Sequence, residues 1–325
     1  MKKPVLVATF AGAVGALLLG FAAPASTQEA KPEAKPEAPA KAVLKAAKLD
    51  AAIELKAELN DTWQKAAPVT LTARKGKTSD VEVELRAAHD GTHLYLYARW
   101  ADATQSLTKK AWLWGDNGWE KAKGDEDRIS IAFNISAPAF DEKGCGGICH
   151  KEGMATAKEG ELVDAWHWKA ARGGLFGLVD DQHFAFSEDD GREDDDGDGA
   201  SKKNETADGK APARRWKDDA DKNGPFNEST TAEIAADFKP EKGYTLPSNI
   251  LKTPSGSRAD VTCAAVHKDG FWTVVFKRKL DTGNNDDARL EAGKSVTFAV
   301  AAFDDCGEKD GKQHTKTMPA TLTLE

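Results

Sequence analysis

The 325-residue chain carries 45 Lys+Arg against 53 Asp+Glu, a formal net charge of −8, and no Lys/Arg cluster without interleaved acids. Nucleic-acid binding is excluded, because neutralising phosphates needs a basic face. With 40% apolar and 30% charged residues, the composition is that of a folded globular protein of one or two domains, neither multispan nor disordered.

Met1-Lys2-Lys3 is a positive start, Val5 to Ala23 is apolar and uncharged, and Ala23-Pro24-Ala25 has the small-x-small pattern of a signal-peptidase site. Residues 1–25 therefore read as a secretory signal peptide, which places the mature chain in a bacterial periplasm or outside the cell. An uncleaved signal anchor is the alternative and the one route of membrane contact. Residues 26–47 read as a linker, because the E-A-K-P repeats from Glu29 to Ala42 combine helix-breaking proline with alternating charge.

A single domain is expected over residues 48–325. Residues 48–62 give mixed signals. Apolar residues then alternate with period two at Val81–Leu85, Leu94–Trp100, Ile129–Ile135, Trp272–Phe276 and Val296–Val300, the mark of half-buried strands. Asp90-Gly91 predicts a tight hairpin. Strands at both ends of the chain imply one mainly β fold, an antiparallel sandwich, interrupted at 137–258 by a loop-rich insertion too long for an ordinary connection. Sites are commonly built on such loops.

The insertion opens with Gly144-Cys145-Gly146-Gly147-Ile148-Cys149-His150, followed by Met154 and by Asp164-Ala165-Trp166-His167-Trp168-Lys169. C-type haem attachment uses two thiols and an adjacent histidine as axial ligand, in the spacing C-x-x-C-H. The spacing here is one residue longer, which two glycines can absorb; a Cys145–Cys149 disulfide is the alternative. Met154 is one of two methionines beyond residue 1, and its soft sulfur suits haem iron, although packing is the commoner role. His167 fits a haem edge, a stacking contact or a buried imidazole. Lys169 and Arg172 suit haem propionates or a solvated loop.

Taken with Tyr97-Ala98-Arg99-Trp100-Ala101-Asp102, the run Val179-Asp180-Asp181-Gln182 and the late strands Trp272–Leu280 and Ala301–Asp304, these motifs resemble the ethylbenzene dehydrogenase-related, cytochrome/DMSO reductase-like haem-binding domains. The likeness spans about residues 60–325, and D-x-W-H-W-K-A-x-R is its distinctive part. The resemblance implies an immunoglobulin-like sandwich similar to carbohydrate-binding modules of family 9. It also implies one haem and electron transfer as the haem subunit or partner of a periplasmic molybdenum-type oxidoreductase, so a redox partner protein is expected. In that branch the haem is b type, held by a Met and a Lys; Met154 matches the former and Lys277 is the candidate for the latter, with Lys279 on the same strand face. Cys145, Cys149 and His150 depart from that branch, so b and c type both stay open. With a c-type haem, His150 is proximal and His167 or a lysine is left for the other side. Trp166 and Trp168 are expected to wall the haem.

Asp194, Asp196, Asp198 and Glu205 fit D-x-D-x-D-G-x5-E, the calcium-loop template, with a hydrated acidic loop as the alternative. Cys263 and Cys306 are expected to form a disulfide in an oxidising compartment, and His314 falls in a polar C-terminal loop. The chain has no nucleophile elbow, phosphate loop, dinucleotide fingerprint or H-E-x-x-H, so these residues do not indicate catalysis, and the resemblance implies an electron carrier or a subunit of an oxidoreductase. The rival reading is a haem-free carbohydrate- or ligand-binding module that stacks its ligand on Trp112, Trp114 and Trp119.

Overall fold

A computed structural model describes residues 41–74, 80–149, 153–218, 222, 224–305 and 314–325. The signal-like stretch, most of the linker, His150 and Cys306 lie outside the described residues. The chain opens with strands Val43–Lys48 (β1), Val69–Ala73 (β2), Val81–His89 (β3) and His93–Ala101 (β4). The β3–β4 hairpin forms where Asp90-Gly91 predicts it. Asp90 Oδ1 accepts from the Thr92 and His93 amides at 2.8 and 2.7 Å, and Gly91 takes a φ of 87°, which only glycine adopts freely.

Then come Trp112–Gly115 (β5), Gly118–Lys121 (β6), Arg128–Asn134 (β7), the short helix Pro138–Lys143 (α1), Val163–Lys169 (β8), Asp180–Phe184 (β9) and Arg192–Asp194 (β10). Five short strands follow: Ser201–Lys203 (β11), Arg214–Trp216 (β12), Thr231–Glu233 (β13), Thr245–Leu246 (β14) and Asn249–Leu251 (β15). The chain closes with Thr262–Lys268 (β16), Phe271–Lys279 (β17), Ser295–Phe303 (β18), His314–Lys316 (β19) and Ala320–Leu324 (β20). Among the described residues no helix is long and apolar enough to cross a membrane.

The main sheet runs β10-β9-β8-β7-β18-β20-β1-β3-β4-β17-β16, with β19 on β18 and β2 on β3. It curls so that its two halves face each other. Trp166 on β8 meets Phe276 on β17 at 6.1 Å between ring centroids, and Trp168 meets Trp272 at 4.8 Å. The fold is thus mainly β, as expected.

Two details differ from the sequence reading. β1 pairs in parallel with both β20 and β3, so the sheet is mixed rather than wholly antiparallel. This strand takes in residues 43–47, the end of the stretch assigned to the linker; its alanines and lysines carry little β signal, and tertiary pairing decides its state. The insertion is also not irregular throughout, because β8 and β9 lie within it and pair with the main sheet. All seven residues of β8 are buried. Covering on both faces removes the period-two pattern by which a strand is recognised.

Leu44 is fully buried in the core while Lys45 points outward. Leu44→Ala should therefore lower the unfolding free energy by about 2–5 kcal/mol in urea titrations, with Lys45→Ala within about 0.5 kcal/mol of wild type. Equal stability of both variants would show that residues 43–48 behave as a tether.

Candidate functional site

Alternation along β8 divides its side chains. Trp166 and Trp168 join the inter-sheet core, while Val163 and Ala165 belong to a separate outer cluster, and His167 and Lys169 line an outer cavity. Along that outer face, Ala165, Ala132 and Ala299 lie opposite one another on β8, β7 and β18. In the next row His167 lies opposite Ser130, Ser130 opposite Ala301, and Ala301 opposite Lys316 on β19. His167 and Lys316 thus end one row across four adjacent strands, about 14 Å apart at the usual strand spacing, with small side chains between them.

The Cys145–Met154 segment packs over the alanine row. Pro138 starts α1 at a position where its missing N–H costs nothing, and Gly144, at a φ of 56°, ends it. A Cβ at Gly147 would fall 2.0 Å from the Ala139 carbonyl oxygen, so the glycine is what lets the cysteine turn close onto the helix. Cys145 is buried among Phe140, Ile148 and Ala299, and burial pushes its thiol up to about 11. Cys149 is exposed, and it pairs with Met154 in an isolated antiparallel bridge. Met154 packs partly buried against the same cluster. Lys316 Nζ lies 3.9 Å from where a Cβ on Gly146 would sit, which brings an amine to the cysteine turn.

At the other end of the face is a cavity of about 850 Å³. Ten Lys and Arg side chains line it against three acids, Asp180, Asp194 and Glu205. Each acid is already paired: Asp180 with Lys169 and with Arg258 at 3.3 Å, Asp194 with Arg258 at 2.9 Å, and Glu205 with Lys203 at 3.2 Å. Arg172 is held by the fully buried Glu126 at 2.6 Å. The surplus positive charge in an acidic chain favours anionic groups. A second cavity of about 690 Å³ shares Lys109, Ser248 and Asn249 with the first and has apolar walls from Leu175, Phe176, Phe226 and Leu246.

His167 is 7% exposed. Its Nδ1 lies 3.4 Å from Gln182 Oε1, and its buried Nε2 has no hydrogen-bond partner. The Gln182 contact assigns the proton to Nδ1 and leaves a bare lone pair on Nε2. Burial, then the charges of Lys169, Arg128 and Arg172, hold its pKa far below the usual histidine value. The ring is therefore neutral at neutral pH, the form that ligates a metal. Burial and Arg172 also bring Lys169 down to about 8.

Other expected site residues fall elsewhere. Trp166 is fully buried on the opposite face of β8, 4.7 Å from the Phe133 ring, so it is core and not a haem wall; Trp168 likewise packs inward. Lys277 lies on the outer face of the other half of the sandwich, its Nζ 5.8 Å from the Tyr95 ring, and β17 gives Lys279 the same face. The signal that could have found Lys316 is weak, a lysine in a short polar strand that reaches the site only through its pairing with β18.

Cys145, Cys149 and Cys263 are free thiols. Cys263 is buried with its Sγ 3.4 Å from the Gly174 carbonyl oxygen, and its expected partner Cys306 lies outside the described residues. The backbone of His314 pairs with Phe303. Asp194, Asp196, Asp198 and Glu205 are not gathered into one ligand set: Asp194 sits on β10 bound to Arg258 and Gln182, Asp198 is bound to Lys252 at 2.6 Å, and Glu205 to Lys203. Trp112 is buried under Lys121, and Trp114 meets Trp119 edge to face at 75°, so the three rings do not form one flat platform.

Fold and site together define a mainly β sandwich that builds a donor-bearing outer face next to a cationic cavity. A family model described as ethylbenzene dehydrogenase matches residues 60–315, and the chain belongs to that family. No curated protein matches the chain. Among solved structures, it is similar to a family 9 carbohydrate-binding module from Caldicellulosiruptor kristjanssonii in complex with glucose, at 7% identity and a TM-score of 0.40, covering 87% of this chain and 95% of that one. It is also similar to a putative carbohydrate-binding protein from Bacteroides uniformis, at 12% identity and a TM-score of 0.38, covering 88% and 100%. No property of those proteins carries over at such scores.

Because the folded pKa of His167 lies below its unfolded value of about 6.5, its contribution to stability is present above that pH and is lost as pH falls below it. The urea midpoint should fall between about pH 7.5 and pH 5.5, and His167→Gln should make that fall shallower. An equal fall in both proteins would place the titration elsewhere.

Proposed function

We propose that the protein is an exported electron carrier that binds one haem on the outer face of β8, β7 and β18, between the cysteine–methionine turn and the cationic cavity, and serves a larger redox enzyme as partner. The observation that carries the reading is the partnerless, neutral His167 Nε2, on the same row as Lys316 and next to the turn that carries Met154. The residues present fit the group. Nitrogen and thioether donors suit haem iron, small side chains leave room on the sheet, and an apolar chamber beside a cationic one suits a porphyrin edge and its two carboxylates.

Haem, when bound, supplies a one-electron iron couple. His167 Nε2, Met154 Sδ and Lys316 Nζ are donors at this site, and two of them would hold the iron. Arg128, Arg172 and Lys109 would meet the propionates. The sheet would keep these donors in place through a change in the charge of the group they hold. The buried Cys145 thiol favours non-covalent binding, because attachment through both vinyl groups would need both sulfurs at the porphyrin edge.

The test is the spectrum of the reduced, haem-loaded protein. Two of the variants Met154→Ala, His167→Ala and Lys316→Ala should lose the sharp low-spin bands, while Lys277→Ala should keep them. Wild-type spectra in all three would remove this face as the haem site.

A further inference from the structure

On the inner face, beneath the outer-face site, lies a second cluster that electron transfer does not use. Asp164 on β8, Asp181 on β9 and Asp287 in the loop after β17 are all buried, and each offers a carboxylate oxygen within 4.8 Å of the others. Among the described residues one cation, Arg278, bonds to this cluster. Arg278 Nη1 donates to Asp164 Oδ2 at 2.6 Å and to Asp287 Oδ1 at 2.9 Å, and Nη2 donates to the Ala288 carbonyl. The Ala288 amide also donates to Asp164 Oδ2 at 3.0 Å.

Four oxygens are left over. Asp164 Oδ1, Asp287 Oδ2 and both oxygens of the wholly buried Asp181 have no hydrogen-bond partner. Three carboxylates against one guanidinium leave a formal charge of −2 among buried side chains, which is costly unless something compensates it. The neighbouring Asp195 adds another partnerless buried oxygen, while its Oδ1 is held by His183 Nδ1 at 2.6 Å.

We propose that Asp164, Asp181 and Asp287 form a structural calcium site that joins β8 and β9 to the loop after β17. A divalent cation cancels the residual charge. A donor set made only of oxygens selects a hard ion over zinc or copper. Two oxygens bound to one calcium at 2.3–2.6 Å lie at most about 5 Å apart, which the observed separation satisfies. Magnesium suits the site poorly, because it retains water and demands octahedral geometry. The site is separate from the D-x-D-x-D-G loop, whose exposed Asp198 is bound to Lys252. It is also independent of haem, since its residues point to the other side of β8.

The test uses the full chain, unfolded in denaturant with EGTA and refolded in calcium chloride, magnesium chloride or EGTA alone. Metal content is read by atomic emission and Tm by circular dichroism. One calcium per chain is expected, with Tm higher than in EGTA by about 5 °C or more and no comparable gain in magnesium. Asp181→Asn should weaken calcium binding by at least about tenfold, one lost carboxylate ligand being worth 1.4 kcal/mol or more, and Asp198→Asn should leave it unchanged. Terbium luminescence excited through Trp166, whose ring lies 5.0 Å from the Arg278 guanidinium carbon, reads the wild-type site even if the Asp181 variant fails to fold. No bound calcium and no terbium signal would overturn the proposal, as would binding lost with Asp198 but kept without Asp181.

Discussion

The burial of β8 on both faces is the constraint on which the molecule depends. Its inner face places Trp166 and Trp168 between the halves of the sandwich, worth on the order of 4–6 kcal/mol each as an upper bound from buried area. Its outer face carries Ala165, His167 and Lys169. The tryptophans thereby fix the backbone that carries His167. An imidazole is thus placed on a strand packed on both faces, the kind of support that holds a side chain's anchor point in one position.

Electrostatics follow from the same arrangement. An acidic chain gathers ten cationic side chains around one cavity and pairs the acids there with arginine or lysine. Burial and the positive charge next to it keep the imidazole neutral, so the residues that give the cavity its positive charge also preserve the lone pair of His167. On the inner face the sign is reversed. Three buried aspartates face Arg278, and the two charged regions are separated by the thickness of one strand.

Strands whose apolar residues alternate with polar or aromatic ones were legible in the sequence: β3, β4, β7, β17 and β18 all contain the predicted alternation, and Asp90-Gly91 marks its hairpin. β1 and β8 were not legible, β1 because alanine and lysine say little about strand pairing, β8 because residues buried on both faces show no period. The cysteine turn, Met154 and His167 were visible as chemistry-bearing residues. Lys277 was the expected lysine and Lys316 was not legible, because period two gives a strand's faces but not which half of a sandwich they cover. Asp164 and Asp181 stood within motifs notable for other residues, and only folding brings Asp287 and Arg278 to them.

The central claim is that an iron porphyrin sits against the outer face of β8. Exported protein from a host able to load haem, assayed by acid-acetone extraction and a pyridine haemochrome spectrum, tests this most directly. The account predicts one extractable haem per chain with b-type bands. Protein without iron or visible absorbance would contradict it.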